Sequence, residues 1–246
     1  MATVATPPRR SGRRVALVVL GTIVSALLIG IGALMLLDVA ASHSYTTTSA
    51  YAGVRALVVQ NDAGGVSLSS APAGSRLMVR AETTESLFKP TRQARLASDG
   101  TLTLHGNCPG QPNCGVHYVL SVPPGVSVKV KSTVGDVTAT DLVSTASVQL
   151  STGGGDVTAT GLSAPTIHLS TGVGNIRATV TRPALSLDAN SVAGNISLTV
   201  PDTTYAVHAS SGLGHVSDHS LQNDPRSPRS IDAHSSLGDV RIALGS

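Results

Sequence analysis

The chain has 246 residues, of which 13% are charged and 2% aromatic, with 25 Gly, one Phe and no Trp. Its net charge of +3 is confined to one end. Arg9, Arg10, Arg13 and Arg14 precede an apolar run, and without them 13 basic residues face 14 acidic ones. Basic charge so placed is an orientation signal; no aromatic and basic residues interleave as a nucleic-acid groove requires, so nucleic acid is excluded as a partner.

Residues 1–14, with Pro7, Pro8 and the Arg cluster, carry no core-forming pattern and are expected to be a disordered cytoplasmic tail. Residues 15–37 contain no charge and only Thr22 and Ser25 as polar members. As a helix this segment would reach about 34 Å, enough for a ~30 Å hydrocarbon core. The expected partner is therefore a lipid bilayer, spanned once, with the N-terminus in the cytoplasm and the rest outside. The competing reading is a cleaved signal peptide, for which Val39-Ala40-Ala41 offers a small-residue site. Gly21, Ser25, Ala26 and Gly30 would let two such helices approach closely. Residues 38–50 read as a linker, and 51–246 as the extracytoplasmic domain.

Within 51–123 the pattern is irregular. Residues 54–68 read as a first rung of a repeat, with Gly64-Gly65-Val66 as a degenerate copy of the turn described below. Residues 77–81 read as a strand. Residues 101–104 and 116–122 read as paired strands joined by the Cys108-Pro-Gly-Gln-Pro-Asn-Cys114 loop. Outside a membrane the two cysteines are expected to form a disulfide. The flanking His105 and His117 make a Cys/His metal site conceivable, but thiols outside the cell usually pair.

From residue 128 onward the sequence repeats every 20 residues or so. The turns are Gly135-Asp136, Gly155-Asp156, Gly174-Asn175, Gly194-Asn195, Gly214-His215 and Gly238-Asp239, with steps of 20, 19, 20, 20 and 24. The last step is lengthened by turn formers at 222–228. Seven and five residues before each glycine the columns are apolar, for example Val128 and Val130, or Ile167 and Leu169, with a polar residue between. Two after it stand Val137, Val157, Ile176, Ile196, Val216 and Val240. This period of two makes each copy a strand, a Gly turn and a strand with one buried face. One copy cannot bury that face alone, but a stack can. The fold class is all-β: a β-solenoid, right-handed or a flattened relative, with a β-sandwich as the alternative.

The Asp/Asn column invites a catalytic reading, because Asp136 and Asp156 would lie about 5 Å apart on adjacent rungs and glycosidic chemistry uses paired carboxylates. The column continues as Asn175, Asn195, His215 and Asp239, and turn formation explains all six. Calcium would need a nonapeptide repeat that is missing. His168 and His208 share a column but are expected about 10 Å apart, too far to hold one metal ion directly. The hydroxyl column, Ser132 to Ser235, is expected to bond near the turn. No catalytic, cofactor or metal residues are therefore assigned.

The basic tail, the apolar helix, the Cys108…Cys114 loop, the Val-Pro-Pro-Gly at 122–125 and the repeats together resemble a bacterial β-strand-repeat family of unknown function, known as putative adhesin or toastrack domains, in an actinobacterial form. The resemblance covers roughly residues 50–246. It implies an extracytoplasmic β-solenoid, in some members linked to envelope-stress signalling, and supplies no catalytic residues. The expected function is a non-catalytic membrane-anchored binding or scaffold module, with a membrane signalling protein or a second copy as partner. The alternatives are a surface adhesin and a polysaccharide-acting enzyme. The last rung, ending near the C-terminus without a cap, is expected to present an open strand edge.

Overall fold

The computed structural model describes residues 20–30, 32, 43–85, 89–108, 114–218 and 221–245. The chain divides into two units, residues 1–42 and 43–246. In the first, residues 20–30 are helical with exposed side chains, and Ile31 and 33–37 lie outside the described residues, as do 15–19. Among the described residues no helix is long and apolar enough to cross a membrane. The expected 15–37 span is thus represented only by its middle. The tail 1–14 also lies outside the described residues.

The second unit begins with β1 (His43–Tyr51), β2 (Ala56–Ala63), β3 (Val66–Ser70), β4 (Leu77–Glu85), β5 (Thr91–Leu96), β6 (Thr101–Asn107) and β7 (Gly115–Val122). The repeats follow as β8 (Ser127–Val134) and β9 (Val137–Thr140), β10 (Ser147–Gly154) and β11 (Val157–Leu162), β12 (Thr166–Val173) and β13 (Ile176–Val180), and β14 (Ser186–Ala193) and β15 (Ile196–Val200). The chain ends with β16 (Thr204–Leu213), β17 (Val216–Ser217), β18 (Gln222–Asn223), β19 (Ser230–Leu237) and β20 (Val240–Leu244). They form two ten-stranded sheets. The front sheet runs β1-β4-β7-β3-β9-β11-β13-β15-β20-β17, and the back sheet runs β18-β16-β19-β14-β12-β10-β8-β2-β6-β5.

Each repeat places its first strand in the back sheet and its second in the front sheet, with the Gly turn carrying the chain between them. Successive rungs are parallel and in register: Val148 lies beside Val128 on one side and Ile167 on the other. Parallel stacking through both sheets is the flattened β-solenoid, not the antiparallel sandwich. The repeated apolar columns meet between the sheets. Val130, Leu150, Leu169, Val137, Val157 and Ile176 are all fully buried, so every rung extends one continuous core.

Three expectations are corrected. The expected linker 38–50 contains most of β1, which is antiparallel to β4; its run of Ser and Thr favours an extended strand once an edge is available to it. Strands β6 and β7 do not pair. They belong to opposite sheets as one rung, with the Cys loop in place of the Gly turn, and β6 pairs with β2 and β5 while β7 pairs with β3 and β4. Residues 92–96 supply most of β5. Finally, the rungs are not stacked in chain order. The last rung, β19 and β20, lies between β14/β15 and β16/β17. The insertion at 222–228 is the return path: β18 pairs with the start of β16, and Asp224 N–H donates to the Tyr205 carbonyl at 2.8 Å. The C-terminal rung is therefore covered, and the edge at this end belongs to β16, β17 and β18.

Candidate functional site

The turn residues singled out in the sequence form a ladder along one side of the stack. Asp136 Oδ1 accepts the Asp156 N–H at 2.8 Å, and Asp156 Oδ1 accepts that of Asn175 at 2.7 Å. Asn175 Oδ1 accepts the Asn195 N–H at 3.0 Å, and Asn195 Oδ1 that of Asp239 at 2.8 Å. Asp239 Oδ1 accepts the His215 N–H at 2.8 Å. A carboxylate or amide is needed wherever another rung stacks above it. His215 sits on the outermost rung, with nothing further to cap, which is why an imidazole is tolerated there.

The glycines have a matching cause. Gly155 has φ of 140°, a region closed to most L-residues, and a Cβ on it would meet the carbonyl group of Gly135 one rung away. The same approach recurs at Gly174, Gly194, Gly214 and Gly238. Those carbonyls are then bonded by the hydroxyl column: Thr152 Oγ1 to Gly135 O, Thr171 Oγ1 to Gly155 O, and Ser235 Oγ to Gly194 O, each at 2.8 Å. In the first rung the equivalent residue is Asn61, whose longer side chain donates to both Gly64 O and Val116 O at 2.8 Å. Asn61 thereby occupies the carbonyl that Ser132 would otherwise bond, and the buried Ser132 Oγ has no partner.

These contacts place the two carboxylates of the catalytic reading in structural service. The Asn175 N–H, and behind it the Arg177 guanidinium 3.2 Å away, hold the Asp156 carboxyl below the usual carboxylate range. His168 and His208 are further apart than expected, because the interposed rung puts both Asp188 and Asp232 between them. His168 Nδ1 lies 3.0 Å from Asp188 Oδ2. Cys108 and Cys114 form a disulfide with Cα atoms 5.8 Å apart. His105 and His117 fall on opposite sheets, and His117 Nε2 lies 3.5 Å from Ser67 Oγ. No group of three metal-ligating side chains occurs among the described residues.

Sequence reasoning missed a surface. A groove of ≈ 680 Å³ crosses the back sheet from β8 to β19, and its floor includes Lys131, Ser151, Ser170, Asn190 and His234. No carboxylate lines it. Beside it the turn edge carries an apolar ridge in which Val134, Val173 and Leu213 are 59%, 65% and 72% exposed. The signal for both was present. The column four residues before each turn glycine is polar, and the column one before it is mostly apolar, in phase with the core columns yet facing solvent. A smaller cavity of ≈ 190 Å³ lies between the sheets near β1 and β5, lined by Tyr51, Arg92, Leu104 and Tyr118 among others. Burial pushes the Tyr118 phenol up to about 12, against the opposing pull of Arg92.

A stack of two-stranded parallel rungs with Asx-capped Gly turns defines a toastrack-type β-solenoid. The chain belongs to the Toastrack DUF4097 family, which matches residues 54–244. Among solved structures, it is similar to a putative cell adhesion protein from Clostridium sporogenes ATCC 15579, with 11% identity and a TM-score of 0.53 over 83% of this chain and 100% of that one. It is also similar to a putative adhesin from Bacteroides fragilis NCTC 9343, with 15% identity and a TM-score of 0.44 over 82% of this chain and 97% of that one. At these identities the first likeness speaks for the fold alone. No curated protein matches the chain.

Proposed function

We propose that this chain is a non-catalytic binding and scaffold module, held at the outer face of a membrane by residues 15–37 and coupled through a membrane partner to the sensing of envelope stress. The observation that carries the non-catalytic reading is the Asx ladder. The carboxylates that would have to do chemistry, Asp136 and Asp156, are already committed to backbone N–H groups of the next rung. What remains free for recognition is the long groove with its small polar floor and apolar ridge, a surface suited to an extended chain lying across the rungs.

The adhesin reading is weaker on reach. Strand β1 starts at residue 43, so a tether of residues 38–42 spans at most about 18 Å. That favours a partner close to the membrane.

The test is proximity crosslinking of the full-length protein in its native membrane, for the wild type and for a Ser151→Arg/Ser170→Arg variant that fills the groove. Enrichment of one membrane signalling protein, lost in the variant, supports the reading. Recovery of abundant neighbours alone, unchanged by the variant, refutes it. Release of the chain into the soluble fraction on deleting residues 15–37 is the expected sign of anchoring, and unchanged membrane association would refute that part. A glycan turnover abolished by Asp136→Ala would overturn the non-catalytic assignment.

A further inference from the structure

Strand β1 closes the front sheet, and it is unlike the other three sheet ends. It has nine residues, none of them Asp, Glu, Lys, Arg, Pro or Gly, and six of the nine are consecutively exposed. Among the described strands it pairs with β4 alone, and along residues 44–51 no described strand lies against its opposite edge. The other ends are blunted in the ways natural sheets use. Strand β5 carries Arg92 and Arg95 in six residues, and β17 and β18 have two residues each, the latter followed by Pro225 and Pro228.

The two sheets also end unevenly. Beyond the rung of β6 and β7 the front sheet adds β4 and then β1, whereas the back sheet adds β5 alone. The front sheet therefore overhangs by one strand. Arg92 of β5 reaches across to the overhang, lying 5.1 Å from the Tyr45 ring centroid and donating to Thr47 Oγ1 at 3.2 Å.

We propose that the open edge of β1 joins two copies of this chain, β1 against β1, in an antiparallel pair centred on Thr47. The sequence is self-complementary in that register. Thr47 meets its own copy on the two-fold axis, Thr46 faces Thr48, Tyr45 faces Ser49 and Ser44 faces Ala50. Thr–Thr and aromatic neighbours favour such pairs, and no like charges oppose one another. The symmetry is isologous and closes on itself, so the edge is consumed and no fibre grows. The overhang makes the join sterically open. With two strands interposed at ~4.8 Å each, the two β5 edges stand about 14 Å apart, beyond the Debye length at physiological salt, so their arginines repel little. The small cavity beside Tyr51 and Arg92 would then continue from one copy into the other beneath the joined strands. This interface stands on β1 alone and does not depend on the membrane reading.

The experiment uses the full-length chain in detergent. Cys108 and Cys114 are bonded to each other and no cysteine is free, so an introduced cysteine is a clean reporter. Directly opposed residues in an antiparallel pair have Cα atoms about 4.5–5.5 Å apart, within disulfide range. Thr47→Cys is expected to give a covalent dimer under mild oxidation, whereas Thr138→Cys on β9 remains monomeric. Thr46→Lys/Thr48→Lys opposes like charges across the axis while touching only exposed positions; it is expected to convert a dimeric mass to a monomeric one with an unchanged circular dichroism spectrum. A monomeric wild type, or Thr47→Cys crosslinking no faster than Thr138→Cys, overturns the proposal. So does a dimer that survives the lysine pair but is lost in Gly21→Leu, which would assign the association to the helical segment instead.

Discussion

Residues 127–244 and residues 43–122 build one continuous core by different means. In the repeats each rung is fastened to the next by the same three devices: a Gly whose missing Cβ admits the neighbouring carbonyl, an Asx that caps the next N–H, and a hydroxyl that bonds the Gly carbonyl. In the N-terminal part only the first is kept, at Gly64, where a Cβ would meet the Val116 carbonyl. Gly65 stands where an Asx would, Asn61 replaces the hydroxyl, the rung of β6 and β7 turns through a disulfide, and antiparallel β1, β4 and β5 finish the sheets. Identical rungs can share one local solution. The N-terminal end is closed by covalent and antiparallel fastenings instead.

The sharpest way to break the comparison is at the glycines. Gly174→Val is expected to destabilise by on the order of 3 kcal/mol or more, since it combines a disfavoured φ with a clash against the backbone of Gly155. Gly74→Ala, with φ of 78° but open space around it, is expected to cost about 1 kcal/mol. Urea denaturation of both variants measures the difference, and equal costs would show that close approach is not what the repeat glycines serve.

Removing the disulfide with Cys108→Ser/Cys114→Ser comes next, at about 2 kcal/mol for so short a loop. Hydrogen exchange is expected to show faster opening of β6 and β7, with β12 to β15 unaffected. Uniform loss of protection across all rungs would mean that the two regions unfold as one. Cutting one rung of the ladder with Asn175→Ala leaves the Asn195 N–H uncapped, and the expected loss is about 1 kcal/mol, read from the same denaturation curves.

The smallest effect is a pH dependence. The Asp156 carboxyl is held below its ordinary value by the Asn175 N–H, so its charged form favours the folded state. That contribution is fully present above the unfolded carboxylate range, near pH 4, and is lost as pH falls through the lower folded value. Asp156→Asn keeps an amide oxygen for the cap. Its stability deficit relative to wild type is expected to shrink below pH 4, and a deficit that grows on acidification would contradict the assigned cause.

The period of two and the 20-residue recurrence made the rungs readable, because every apolar column was buried by the same neighbour contact. The turn residues were readable for the same reason, and the structure adds that their side chains reach across rungs rather than within one. What could not be read was which rung lies against which. Ile231 and Val207 are equivalent in the column, so nothing in the apolar pattern forbids either from stacking on Leu187. The discriminating residues were polar: His215 and Asp218 depart from the Asx and Ala columns at the one rung that needs neither a cap nor a full cover. Strand β1 was hidden by composition, since a run of Ser and Thr at an exposed edge carries no alternation. The groove was missed because its residues are small and polar, as turn neighbours usually are.

The out-of-order stacking has a consequence for how the chain comes to be folded. Residues 230–244 leave the ribosome after residues 204–217, yet they belong inside them. Until they emerge, the rung of β16 and β17 has an attractive seat directly on β14 and β15, where Asn195 would cap the His215 N–H. The finished arrangement requires that seat to be vacated, or never taken. A nascent chain halted before residue 230 is therefore expected to hold a complete shorter solenoid rather than one with a ragged end. Where that seat is taken, the arrival of residues 230–244 is an exchange of neighbours, not an addition.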